Sequence, residues 1–99
     1  MEVVADAYDV TEEDILSRRR FARLATARAA ACYLLRKHFA MSTTEVGRMV
    51  RRTHAAVIMS CRKVEGFFRW PKMYSNDIAI IKLIEKTYFK DEKMDKVGD

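Results

Sequence analysis

Proline occurs once and glycine three times in 99 residues. So few chain-turning residues argue against a turn-rich β fold and favour helices. Cysteine occurs twice, as Cys32 and Cys61, with no C-x-x-C pair. The two read as reduced thiols packed as small hydrophobes in a cytoplasmic protein, not as a disulfide frame. Adding the two histidines makes no metal site, because the order Cys32, His38, His54, Cys61 lacks the close ligand pairs that zinc takes. No apolar run reaches the ~18 residues of a membrane-spanning helix. The amino terminus lacks the charged, apolar, small-residue order of a signal peptide. No G-x-x-x-x-G-K-[ST] phosphate loop occurs, so no nucleotide is expected. No paired carboxylates and no nucleophile–base pair suggest catalysis, and no cofactor is implied.

Acids are the other absence, and they are missing in one place. Residues 18–63 hold twelve Lys or Arg and a single acid, Glu45. Residues 1–17 hold six acids and no Lys or Arg, and residues 64–99 hold seven of each sign. A net charge of +5 is therefore concentrated in the middle of the chain. Such a local field suits a polyanion, most simply nucleic acid.

What remains is helical patterning. Residues 1–8 predict a short first helix carried by Val3, Val4 and Tyr8. Thr11 then caps a second helix, with Asp14 at the capping-box position and Arg18–Arg20 at its negative end. "RLATARAAACYLLRKHF" is rich in Ala, Leu and Arg, the strongest helix formers. Its expected inner face is Ala27, Ala31, Leu34, Leu35 and His38/Phe39. Ser42 and Glu45 form a second box, opening a short helix with Val46, Met49 and Val50 inward. Thr53 is the next cap, and Val57, Cys61, Val64 and Phe68 make one stripe behind it. That stripe turns Cys61 inward, away from nucleophilic use. Pro71 stops this helix near Trp70. A last helix begins near Ser75 or Asn76 and buries Ile78, Ile81, Ile84 and Tyr88. Phe67, Phe68 and Trp70 are expected to pack against it, while Ile80 and Leu83 fall outside its core side. His38 reads as a partly buried helix histidine. The expectation is one compact all-α domain of five to six helices over residues 1–90, with a polar, disordered tail at 91–99.

The helix at about 42–50, the short link and the helix at about 53–69 form a helix-turn-helix candidate. In that motif the second helix lies in the major groove and its first residues reach base edges. Those residues are Thr53, His54, Ala55 and Ala56, with Arg51 and Arg52 in the turn. A helix amino terminus offers free N–H groups and a positive dipole end to phosphate. Alanine permits close approach and packs on a thymine methyl.

"VTEEDILSRRR", "STTEVG" and above all "RTHAAVIMSCRKVE" resemble the carboxy-terminal DNA-binding domain of the bacterial replication initiator DnaA, over roughly residues 3–90. Arg52, His54, Val57, Cys61, Arg62, Lys63 and Glu65 match that family's signature as they stand. The resemblance implies a helix-turn-helix that binds an asymmetric double-stranded DNA site as a monomer, with half-site dimers the alternative. It implies that Arg52 and His54 face bases, and the helix-turn-helix geometry adds Arg51, Thr53, Ala55 and Ala56 as base-reading positions. It implies a basic arm for the minor groove or its phosphates from Arg20 or a neighbour among Arg18, Arg19 and Arg23, and phosphate contacts from Arg28, Ser42 and Thr43; Arg62 and Lys63 are expected along the DNA backbone as well. The chain departs from the family where it reads bases. Thr53 stands for an Asp, Ala55–Ala56 for Thr-Thr, and the turn lacks the family's Gly-Gly and is one residue shorter. The family's ATPase part has no counterpart here, so the chain is either a free-standing relative, carried by a bacterium, phage or mobile element, or an excised piece. A second reading is an adaptor or inhibitor that kept the fold and lost DNA recognition. It would meet a protein partner through the last helix.

Overall fold

Residues 1–19 and 21–89 are described by the structure, a computed structural model, and they form six α-helices and no strand. The helices are α1 (Glu2–Ala7), α2 (Glu12–Leu16), α3 (Ala22–Phe39), α4 (Thr43–Val50), α5 (His54–Arg69) and α6 (Ser75–Tyr88). Arg20 and the tail expected at 91–99 lie outside the described residues. The all-α expectation is met.

The helix starts are local consequences of sequence. Thr11 Oγ1 accepts the Asp14 N–H at 3.0 Å, and the Asp14 carboxylate returns to the Thr11 N–H at 3.4 Å. Ser42 and Glu45 repeat the exchange at 3.1 and 2.9 Å. Each box satisfies donors that a helix start otherwise leaves open. Hydrogen bonds from the Ser42 backbone and then its side chain hold the Glu45 carboxyl below its ordinary value. α2 ends sooner than its charge pattern suggests. It stops at Leu16, so Arg18 and Arg19 sit beyond the helix, in the link to α3.

α3 is the centre of the domain and packs against α1, α2, α4 and α5. Ala27, Ala29, Ala30 and Ala31 are all buried. Their small side chains leave room for neighbours on several sides, so α3 is covered all round rather than along one stripe. One cluster gathers α1, α2, α3, α5 and α6 around Ile15, Val64, Phe67 and Ile81. A second joins Cys32 of α3 to Val46, Val50 and Val57, and holds α4 and α5 against it. Burial pushes the Cys32 thiol up to about 11 and also raises half-buried Cys61. Both are poor nucleophiles as a result.

Several expected core positions differ. α4 has only two turns and buries the i, i+4 pair Val46 and Val50, leaving Met49 exposed. On α5 the buried phenylalanine is Phe67, tilted against Tyr74 at 4.8 Å. Phe68 is half-buried and stacks on Tyr33 instead. Trp70 is exposed, because α5 ends before it and the chain turns away. Phe39 and Tyr88 lie in the last turns of α3 and α6 at the rim of an apolar cavity of about 120 Å³, where neighbouring helices no longer cover them. Leu83 is exposed as expected, and Ile80 is partly buried against the core.

Glu85 is a buried acid on α6, on the same side as Ile78 and Ile81, where its charge argues against burial. Its Oε2 lies 2.7 Å from both Lys37 Nζ and His38 Nε2, tying α6 to the end of α3. An ionised carboxylate only accepts, so His38 Nε2 carries the proton in this contact. Burial alone would raise the Glu85 carboxyl. The hydrogen bonds from Lys37 and His38 outweigh burial and hold it below its ordinary value of 4.5. A depressed acid contributes stability above its unfolded pKa and loses it as pH falls through the folded one. Wild type should therefore exceed Glu85→Gln by ~1–3 kcal/mol near neutrality. Urea titrations at stepped pH should show that gap shrink below the ordinary carboxylate value. A gap that stays constant into acid would refute the assignment.

Candidate nucleic-acid interface

The turn between α4 and α5 is Arg51, Arg52 and Thr53. Arg51 ends α4 in the left-handed conformation, with φ 60° and ψ 46°. The Arg52 N–H then reaches back to the Gly47 carbonyl at 2.8 Å. This wrap closes a helix when one left-handed residue follows it. It also presses backbone on backbone, since a Cβ on Gly47 would lie 2.5 Å from the Arg52 carbonyl oxygen. Thr53 caps α5 by accepting the Ala56 N–H at 3.1 Å.

Two arginines hold the link after α2, Arg28 from α3 and Arg52 from this turn. Arg28, on α3 and 9% exposed, donates from Nε to the Ile15 carbonyl at 2.7 Å and from Nη2 to the Ser17 carbonyl at 3.0 Å. Arg52 donates from Nη2 to the same Ser17 carbonyl and from Nη1 to the Arg51 carbonyl at 2.9 Å. Burial, then the nearby Arg52 cation, pulls the Arg28 pKa down from its ordinary value. Arg28, expected to touch phosphate, is a buried brace whose edge lines the surface cleft.

Two open basic clefts flank the turn. One, of about 370 Å³, is lined by Arg18, Arg19, Arg28, Arg51, Arg52, Thr53 and Ala56. The other, of about 360 Å³, is lined by Thr44, Gly47, Arg48, Arg51, Arg52, Thr53 and His54. No acid lines either. Arg51, Arg52 and Thr53 form the ridge between them, and His54 and Ala55 are exposed beside it. The first turn of α5 holds no acid. Cations at the positive end of a helix dipole are unfavourable by ~0.3–1 kcal/mol each. The ridge therefore gathers charge that the fold itself does not reward. Ala40 ends α3 in the same left-handed conformation as Arg51. That conformation alone is no functional mark, and what distinguishes Arg51 is its position between the clefts.

The other sequence-derived residues sit at varying distance from this centre. Arg19 is exposed beside Asp14 at 3.8 Å, a contact that water screens. Arg23 is exposed in the first turn of α3, which has neither an acid nor a side-chain cap. Ser42 is exposed but uses its oxygen to cap α4, and Thr43 is half-buried beside it. Arg62 and Lys63 are exposed farther along α5. Arg48 and Thr44 were missed. Their signal was available: Arg48 stands at i, i+3 and i+4 with Arg51 and Arg52, which places all three at one end of a short helix.

Comparison with known proteins agrees with this architecture. A family model described as the bacterial dnaA protein helix-turn-helix matches residues 1–64. The chromosomal replication initiator protein DnaA of Lachnoclostridium phytofermentans is 34% identical over 89 residues, which cover 88% of this chain and 20% of that protein. The DnaA of Rhodopseudomonas palustris BisB18 is 35% identical over 81 residues, covering 81% of this chain and 17% of that protein. Thermosipho africanus DnaA is 29% identical over 69 residues, covering 70% and 16%. The chain thus spans a fifth or less of the length of these curated relatives. With nearly two thirds of its residues matched by the family model, the chain belongs to the bacterial DnaA helix-turn-helix family.

Proposed function

We propose that this chain is a double-stranded DNA-binding module that reads sequence through α4, the turn and α5, and that serves replication initiation or its regulation. One observation carries the reading: cations converge on an acid-free ridge at the positive end of α5, flanked by two basic clefts. Only a polyanion turns that arrangement from a cost into a gain. Arg51, Arg52, Thr53, His54, Ala55 and Ala56 face the bases. Arg18, Arg19, Arg23, Ser42, Thr43, Arg48, Arg62 and Lys63 lie along phosphates, with Arg20 completing the basic arm. Binding as a monomer to an asymmetric site in the bacterial cytoplasm belongs to the same reading.

Fluorescence anisotropy on a duplex carrying the DnaA initiators' box, and on a scrambled duplex, tests this across a salt series. Log affinity should fall with log salt at ~0.9 per phosphate neutralised. His54→Ala should weaken the preferred site more than the scrambled one. It is a cleaner probe than Arg52→Ala, which also loses the Ser17 contact. Arg51→Gly separates binding from folding. It relieves a left-handed non-glycine residue, so it should raise stability by about 0.5–1 kcal/mol while lowering affinity for both duplexes. An unchanged affinity in Arg51→Gly would remove the ridge from the interface. Absence of binding to either duplex at low salt would favour the adaptor reading, for which exposed Leu83 on α6 is the motivating surface.

A further inference from the structure

α5 turns Val57, Val64 and Phe67 into the core. Directly opposite, at the i, i+4, i+7 and i+11 spacing of one helical stripe, stand Ala55, Met59, Arg62 and Gly66. Met59 is 70% exposed. A single exposed apolar side chain says little by itself, but this one lies on the outer midline of the helix whose first turn carries the basic ridge. Gly66 supplies an independent observation. A Cβ there would meet nothing within 4 Å, yet glycine in a helix interior costs about 1 kcal/mol relative to alanine. Among the described residues nothing packs into that space, so the stripe is low at its two ends, Ala55 and Gly66, with Met59 and Arg62 standing between them.

We propose that Met59, together with Ala55, is a specificity-determining apolar edge of α5 that reads the C5-methyl groups of thymines in the major groove. The proposal rests on the DNA-binding reading above. Thymine alone among the four bases presents a methyl group in that groove. Neither side chain carries a strong hydrogen-bonding group, since the methionine sulfur is only a weak acceptor. Their discrimination therefore comes from dispersion and from removing methyl surface from water. The helix rises 1.5 Å per residue, so Ala55 and Met59 are ~6 Å apart along it, close to two base steps of ~3.4 Å. The unbranched, polarisable methionine adapts to the groove wall. Arg62, one turn farther on, supplies a cation beside the same groove. In this way α5 reads with apolar contacts where Ala55 and Ala56 offer no side-chain hydrogen bond.

The test begins with a duplex selected from a random pool on the wild-type protein. Each thymine in the bound site is then replaced singly by deoxyuridine, which removes the methyl and leaves the pairing edge intact. Wild type should lose about fourfold in affinity at a thymine facing Met59, the equivalent of one buried methyl at ~0.8 kcal/mol. Met59→Gln should bind the parent duplex more weakly and show no loss at that position. Met59→Leu should keep the loss. Circular dichroism melting controls for folding, and both variants should melt with wild type because Met59 is exposed. Tight binding that is indifferent to uracil at every position would overturn methyl reading and leave DNA binding standing. Equal uracil penalties in wild type and Met59→Gln would overturn the role of Met59. No duplex bound at low salt would overturn both readings together.

Discussion

Arg28→Met is expected to lower the unfolding free energy by about 2–4 kcal/mol, the loss of two hydrogen bonds from a charged donor and the orphaning of a buried carbonyl. Methionine keeps most of the packing volume, so the loss isolates the guanidinium. The Ile15 carbonyl would have no replacement for its 2.7 Å partner. In a domain of this size stability is only about 5–15 kcal/mol, so the share lost is large. The midpoint of thermal unfolding should fall on the order of 10–20 °C. Arg28→Lys separates a brace from a phosphate contact. Lysine keeps the charge but not the planar fork that spans the Ile15 and Ser17 carbonyls. A brace predicts a Lys variant that remains clearly destabilised. Wild-type stability in Arg28→Lys, with affinity also preserved, would return Arg28 to the phosphate contacts.

Gly47→Ala should destabilise by about 1–3 kcal/mol, the usual penalty of overpacking, and should abolish DNA affinity. The added Cβ meets the Arg52 carbonyl oxygen at 2.5 Å. That atom is backbone in a tight turn and has no rotamer by which to move aside. Relief must come from displacing Arg51, Arg52 and Thr53, the ridge itself. Gly66→Ala is the matched control, because the same change there meets open space. It should stabilise by about 0.8–1 kcal/mol through helix propensity alone. Urea midpoints of the pair should move in opposite directions. If Gly47→Ala also rises, the close approach of α4 to the turn is wrong.

The features that could be read from sequence are those settled within one helical turn. Thr11 with Asp14, Ser42 with Glu45, and Thr53 ahead of His54 all stand where the chain suggested, because a cap and its donor lie three residues apart. The concentration of arginines and the helix-turn-helix were legible for a similar reason. What escaped depends on partners far along the chain. Arg28 looked like any basic residue, and the carbonyls that hold it, on Ile15 and Ser17, belong to another helix's end. Glu85 is buried only because Lys37 and His38 reach it across 48 and 47 positions. The errors at Met49, Phe39 and Tyr88 share a cause. Periodicity gives the direction in which a side chain points but not whether another helix extends far enough to cover it. The left-handed Arg51 was hidden because glycine is the usual marker of that conformation.

The Ser17 carbonyl accepts from both Arg28 and Arg52, and that sharing has a kinetic meaning. A carbonyl oxygen has two lone pairs, so Arg28 alone suffices to keep it satisfied. On the proposed reading, Arg52 can turn from Ser17 to a base edge while the part-buried carbonyl keeps its Arg28 donor. Docking would then be a hand-over of one guanidinium from protein to DNA, with Arg28 still tying the link to α3.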